Sequence, residues 1–462
     1  MKHFILVLAV LLTSCQTAKK INDLPVGPNA QLQAVGKKKT VCWNKKEFLK
    51  PEGKVTIQSS TMMAIAKAMD SEKMEVLPMI NGFTVVSSAE KKLTMESFSA
   101  VAGDWTCQEE QDHYAIQQPY VITPYTCPTS PNPVPTCPVC PTCPTNPGQP
   151  TNPGNPTPVE SPRSWGIERT KAHLAKGILD TSKVVVGIID TGIDLQHPGN
   201  GRVLASIGYA GAVQDRAGHG SHVAGTIAGK RGTGLGVSEA GLAICKGLSD
   251  SGSGSSSQLA NCLVWMLNAK GADGQPLNIK IVSNSWGSTA SDQLINQAIA
   301  QLTQRGVAVV VANGNDGRGT LNWPAQLAIS NPLVFGVAAS DSQNRKADFS
   351  TYGSGTKYIA PGVDIVSNAP GGGTQSMSGT SMATPHVAGA MAYCVAAGLP
   401  PNCLKTTNIG LPANVQGAGL IDVLATAQSS AKVLKLNKEK KNDKAAKVGT
   451  PNKTKRKSAK AG

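Results

Sequence analysis

The run Val184-Val-Val-Gly-Ile-Ile189 constrains the fold more than any other stretch of this 462-residue chain: it is short, apolar and β-branched, and it stops at a carboxylate, Asp190. Such a run suits a strand buried on both faces of a parallel sheet, and Asp190 then falls at the strand's carboxyl end, the edge where open α/β sheets bind ligands. Two further runs repeat the pattern. Val307–Ala312 leads into Asn313-Gly-Asn315, and Ile279-Lys-Ile-Val-Ser283 leads into Ser285-Trp286-Gly287. Two glycine-framed segments read as helix starts: His219-Gly-Ser-His222-Val-Ala-Gly225, whose small residues permit close packing, and Ser381-Met-Ala-Thr-Pro385-His386. Pro385 is expected near the first turn of its helix, where the missing N–H costs least.

A serine hydroxyl is a weak nucleophile until an imidazole takes its proton, and the imidazole needs a carboxylate to fix its tautomer and stabilise its cation. Asp190, His219 and Ser381 supply these groups in the chain order Asp, His, Ser, the order in which subtilisins carry them. A serine at a helix N-terminus also faces free N–H groups suited to developing negative charge. On these motifs, residues from about 165 to 427 resemble the subtilisin-like serine proteases. Asp250-Ser-Gly-Ser-Gly-Ser255 and Ser378-Gly-Thr-Ser-Met-Ala-Thr-Pro-His-Val-Ala-Gly389 are most similar to the proteinase K branch.

The resemblance implies a three-layer α/β fold with a mostly parallel sheet, preceded by a small α+β inhibitory leader, and peptide hydrolysis through an acyl-enzyme. It makes Asn315 the oxyanion donor, Ser285, Trp286 and Gly287 the segment that pairs with extended substrate, and Ala312, Asn313 and Gly314 the neighbours of the specificity pocket. Asn313 stands where the family usually has alanine, and Trp286 where it has leucine. These segments hold no charged side chain, so broad, apolar specificity is expected unless folding brings in a distant carboxylate such as Asp273 or Asp316. The chemistry calls for no cofactor. Structural calcium is left open, with Lys357 near the position where proteinase K relatives often carry an aspartate ligand. His222, His386, His197 and Asp194 are read as structural. The alternative to an enzyme is a catalytically silent surface-binding protein on the same scaffold.

Residues 1–14 form a basic start followed by an apolar run too short to span a bilayer, and read as an export signal. Leu12-Thr-Ser-Cys15 resembles a lipoprotein cleavage box, making 15–40 a lipid-anchored tether at the cell envelope; ordinary cleavage nearby with an incidental Cys15 is the other reading. Residues 41–118 resemble the inhibitory propeptide, through Pro78-Met-Ile-Asn-Gly-Phe83, and 119–162 form a Pro/Thr/Cys-rich spacer that cannot bury a core. The catalytic segment is 163–429. Of the 11 cysteines, all but Cys15 fall in even groups, which fits disulfides in an oxidising compartment. Cys394 and Cys403, separated by the helix-ending Gly398-Leu-Pro-Pro401, are expected to pair, as are Cys245 and Cys262. The spacing Cys137-x-x-Cys140-x-x-Cys143 is read as crosslinking rather than metal-binding. From 430 to 462 the chain is lysine-rich and is expected to be disordered: residues 431 to 462 hold 12 Lys or Arg against 2 Asp or Glu, or +10 of the formal +15. Such a tail either attaches to an acidic polymer or is merely solvated. Partners are thus polypeptide substrates, the chain's own propeptide, a membrane through Cys15 and an acidic polymer through the tail, around a monomer.

Overall fold

The computed structural model describes residues 37–44, 71–77, 82–88, 105–116 and 164–448. The expected export signal, Cys15 with its tether as far as residue 36, and the spacer lie outside the described residues.

Nine strands form the central sheet: β6 (Val185–Asp190), β7 (Val203–Gly208), β8 (Gly241–Lys246), β10 (Ile279–Asn284), β12 (Ala308–Ala312), β13 (Val334–Ser340), β14 (Thr356–Pro361), β17 (Lys405–Thr407) and β18 (Leu420–Asp422). Their order is β17-β18-β14-β13-β12-β10-β6-β8-β7. All neighbours run parallel except the edge strand β17. Helices α1 (His219–Ala228) and α4 (Thr380–Ala396) cover one face, and α2 (Ser256–Asn268) and α3 (Gln293–Gln304) the other. The pleat sends alternate side chains to opposite faces. Val186, Ile188 and Val310 accordingly join the core under α1 and α4, while Val185, Ile189, Val309 and Val311 join the core under α2 and α3. Burial on both faces is why these strands read as unbroken apolar runs.

The hairpin β15 (Ile365–Asn368) with β16 (Thr374–Met377) packs beside α1. Helix α4 is buried continuously from Thr380 to Cys394, and so is apolar or small on every side. Pro385 lies in its second turn rather than its first. It cannot donate to the carbonyl four residues earlier, that of Ser381, and the Ser285 hydroxyl donates there instead at 2.9 Å.

Before the catalytic segment, β1 (Lys37–Asn44), β2 (Ser71–Leu77), β3 (Gly82–Ser88) and β4 (Trp105–Glu109) form an antiparallel sheet of order β2-β3-β1-β4. It starts slightly before the expected boundary at residue 41. Cys42 on β1 and Cys107 on β4 are bridged across directly paired positions. Val41, Trp43 and Leu77 join the core under α2 and α3, and the Trp43 indole N–H donates to Gln297 of α3 at 2.7 Å.

One expectation is overturned. Residues 430–448, expected to be disordered, continue helix α5 (Val423–Val448). Its first turns are anchored by buried Val423, Thr426, Ala427 and Ser430, and the Ala, Lys, Leu and Glu that follow are strong helix formers. Charge density excludes a core, but it does not exclude a helix propagated from a docked first turn.

Candidate active site

Each chemically active side chain sits where a strand ends or a helix begins at the carboxyl edge of the sheet. Asp190 is the last residue of β6, and His219 the first of α1. Asn315 follows β12, and Ser381 is the second residue of α4. The start of α1 lies against the turn after β6 so closely that a Cβ on Gly220 would come within 2.2 Å of the Gly192 carbonyl oxygen; only glycine permits this approach. Asp215, which the sequence reading missed, holds that helix end. Its carboxylate accepts from the N–H groups of Gly218 and Ser221, each at 2.8 Å, and from the Thr191 hydroxyl at 2.9 Å.

His219 Nδ1 lies 2.7 Å from Asp190 Oδ1, with both side chains fully buried. The carboxylate also accepts from the Thr191 N–H at 2.7 Å, which fixes its orientation. Burial draws the His219 pKa downward, but the charge and hydrogen bond of Asp190 and the charge of Asp215 outweigh it, and the net direction is upward. The Ser381 hydroxyl donates to the Ser285 carbonyl at 2.8 Å, while His219 Nε2 is buried without a hydrogen-bond partner. The carboxylate–imidazole bond is therefore made and the imidazole–serine bond is not. Proton transfer would need the serine side chain to turn toward His219, and catalytic bonds are commonly loose before a reaction begins.

Asn315 Oδ1 accepts from the Thr380 N–H at 2.9 Å and the Thr380 hydroxyl at 3.0 Å, which fixes the amide beside the start of α4. The Gly314 N–H in turn donates to the Thr380 hydroxyl at 3.2 Å. Ala312 closes β12. Asn313 donates to the Thr351 carbonyl at 3.2 Å and the Thr356 hydroxyl at 2.9 Å, and so braces two neighbouring segments.

The cleft is occupied. The leader's strand β5 (Asp112–Ala115) lies between β11 (Trp286–Gly287) and β9 (Ser253–Ser255), antiparallel to both. Ser285, Trp286 and Gly287 thus pair with residues 114–116 of the leader. The Ile116 N–H donates to the Ser285 carbonyl at 3.1 Å, and the Ile116 carbonyl accepts from the Ser381 N–H at 3.3 Å. Ile116 is buried, and its Cδ1 would lie 2.9 Å from a Cβ on Gly287, so a side chain at 287 would displace it. Leader residues also dock on the helix ends beneath: Glu110 accepts from the Ser257 N–H at 3.1 Å at the start of α2 and pairs with Lys39 at 3.0 Å.

His222 and His386 serve the core. His222 Nε2 donates to the Ile365 carbonyl at 2.7 Å and His386 Nδ1 to the Met382 carbonyl at 2.8 Å, and burial lowers their pKa values to about 3 and about 4. Cys245 with Cys262 and Cys394 with Cys403 are bridged, at Cα separations of 5.6 and 5.7 Å. Folding brings Asp292, the N-cap of α3, to the strand in the cleft, 3.0 Å from His113 of β5. Sequence reasoning missed it because only the topology joins positions so far apart. Among the described residues, no helix is long and apolar enough to cross a membrane, and no group of three or more His, Cys, Asp or Glu is placed to hold a metal ion.

Comparison with known proteins agrees with this geometry. Residues 181–408 match the subtilase family. The chain is 40% identical over 277 residues to Subtilisin Savinase of Lederbergia lenta, an alignment spanning 57% of this chain and 98% of that one. It is 39% identical to the M-protease of Shouchella clausii strain KSM-K16, over 57% of this chain and 70% of that one. With the alkaline serine protease ver112 of Corniculantispora psalliotae it shares 40% identity over 240 residues, half of this chain and 60% of that one.

Proposed function

The chain belongs to the subtilase family and is a subtilisin-like serine endopeptidase, and we propose that it is made as a precursor that holds its own leader strand in the cleft and cuts the bond after Ile116. The observation that carries this reading is the Ile116 carbonyl 3.3 Å from the Ser381 N–H, with β5 paired on both sides in the manner of a substrate. A carbonyl held at the free N–H groups of a helix start is polarised for attack.

In this reading Asp190 fixes the tautomer of His219, and His219 takes the proton as Ser381 Oγ bonds to the Ile116 carbonyl carbon. The oxyanion that results is held by the Ser381 N–H and the Asn315 amide. His219 then protonates the leaving amine of residue 117, and an acyl-enzyme remains for water to hydrolyse under the same base. Every proton moves between groups of this chain, substrate and water. Buried Ile116 supports an apolar primary pocket, and two-sided main-chain pairing supports broad acceptance of extended polypeptides.

The reading extends to place. The basic and apolar start followed by Cys15 supports export and lipid attachment at the cell envelope, and the exposed Lys432, Lys435, Lys438 and Lys440 of α5 support contact with an acidic polymer. The enzyme acts as a monomer.

Purified Ser381→Ala precursor tests the central claim. It is expected to stay intact indefinitely, while the wild type converts to a form whose new N-terminus is Gln117. A Ser381→Ala chain that matures unaided, or a mature N-terminus elsewhere, sinks it. Failure of the wild type to react with a fluorophosphonate would favour the silent binding protein.

A further inference from the structure

Counting back from Ile116, the fourth residue upstream of the proposed cut is His113, and its surroundings are unlike an apolar pocket. In the strand, His113 and Tyr114 point to opposite faces: Tyr114 is 55% exposed and His113 only 1%. The imidazole enters a pocket built by the catalytic segment. Its Nε2 lies 3.0 Å from Asp292 Oδ2, an oxygen that also accepts from the Ser256 hydroxyl, and its ring meets Trp286 edge-on at 5.6 Å between centroids. The other oxygen of Asp292 accepts from the Ile295 N–H at 3.1 Å, which caps α3, and from the Gln108 amide at 2.7 Å. On the Oδ1 side the carboxylate is thus held by the α3 cap of the catalytic segment and by Gln108 of the leader's β4, and the cap bond remains when the leader leaves; Oδ2 faces His113. Burial raises its pKa, but the hydrogen bond and charge of His113 with the bonds from Ser256 and Gln108 outweigh this, and the net direction is downward.

We infer that the mature enzyme keeps a polar subsite for the fourth residue upstream of the scissile bond, formed by Asp292, Ser256 and Trp286, which selects histidine there over aliphatic side chains. The inference rests on the proposed register of β5 as a substrate mimic. The physical ground is that the pocket's polar groups stay when the leader leaves. An aliphatic side chain would then cover a carboxylate without giving it a donor, whereas an imidazole N–H restores the bond and presents a flat edge to the indole. Sites built to hydrogen-bond a group discriminate strongly against analogues that lack it. Position 286 thereby has a role: it makes a wall that a planar ring fills.

The test uses mature enzyme and internally quenched peptides carrying the leader's Tyr-Ala-Ile-Gln register, with His, Leu, Phe or Lys at the fourth position upstream. We expect kcat/KM for the His peptide to exceed that for Leu by about tenfold or more. Asp292→Asn retains a capping side chain for α3, and in this variant the His-to-Leu ratio should fall toward one; fluorophosphonate labelling reports that the variant is folded. Leu or Phe matching His, Lys matching His, or a ratio unchanged in Asp292→Asn would each overturn the assignment. Equal cleavage of all four peptides after Ile removes the subsite alone, whereas cleavage of none, with casein also untouched, removes the endopeptidase reading and the subsite with it.

Discussion

His219 gathers its neighbours' effects into one measurable quantity. Its cation is stabilised by Asp190 and Asp215 against the pull of burial, so the base is protonated to a higher pH than an ordinary histidine, whose pKa is about 6.5. Activity needs the neutral form. The acid limb of kcat/KM for mature enzyme should therefore lie above pH 6.5, and Asp190→Asn should move it below the wild-type position while cutting turnover by roughly 10⁴, the scale known for that change in a chymotrypsin-type triad. A limb that stays put in the variant would remove Asp190 from the role. The positions of Asp190, His219 and Ser381 were legible in the sequence because a strand end or a helix start at the sheet edge leaves glycines and small residues beside it. Asp292 was not legible. Its neighbours in sequence explain it fully as a helix cap, and only the approach of His113 from far along the chain gives the same carboxylate a second use.

Helix α4 shows what an element can and cannot reveal beforehand. Its start and its burial were readable from small and apolar residues, but Pro385 was placed a turn too early because proline is tolerated most readily at a helix start. In the second turn it strips the Ser381 carbonyl of its usual donor, and Ser285 fills the gap. Ser285→Ala should then leave a buried acceptor unpaired and cost about 1–3 kcal/mol, read as a lower midpoint of thermal unfolding in a Ser381→Ala background that prevents self-digestion. Adding Pro385→Ala restores a backbone N–H and should return part of the loss. If the two changes simply add, the serine is not serving that carbonyl. Helix α5 teaches the converse. Its lysines were read as a reason for disorder, whereas the anchoring Val423, Ala427 and Ser430 at its base decide the outcome, and their contribution depends on the sheet beneath them.

At the scale of the whole molecule, leader and enzyme are joined through a shared apolar core under α2 and α3, polar contacts at two helix ends, and one strand in the cleft. The leader's own sheet is small, and domains of that size are marginal on a single core. Cys42 and Cys107 close a loop of 65 residues within it, a constraint worth about 4 kcal/mol by loop entropy. Replacing both with serine in the Ser381→Ala precursor should abolish hydrogen-exchange protection across 105–116 while β6 keeps its own; unchanged protection in β5 would show that the leader folds without the bridge. The consequence is one of timing. Were the leader's sheet to depend on this bridge, thiol oxidation would act as a clock: the proposed precursor would present no formed strand to cut until Cys42 and Cys107 had closed.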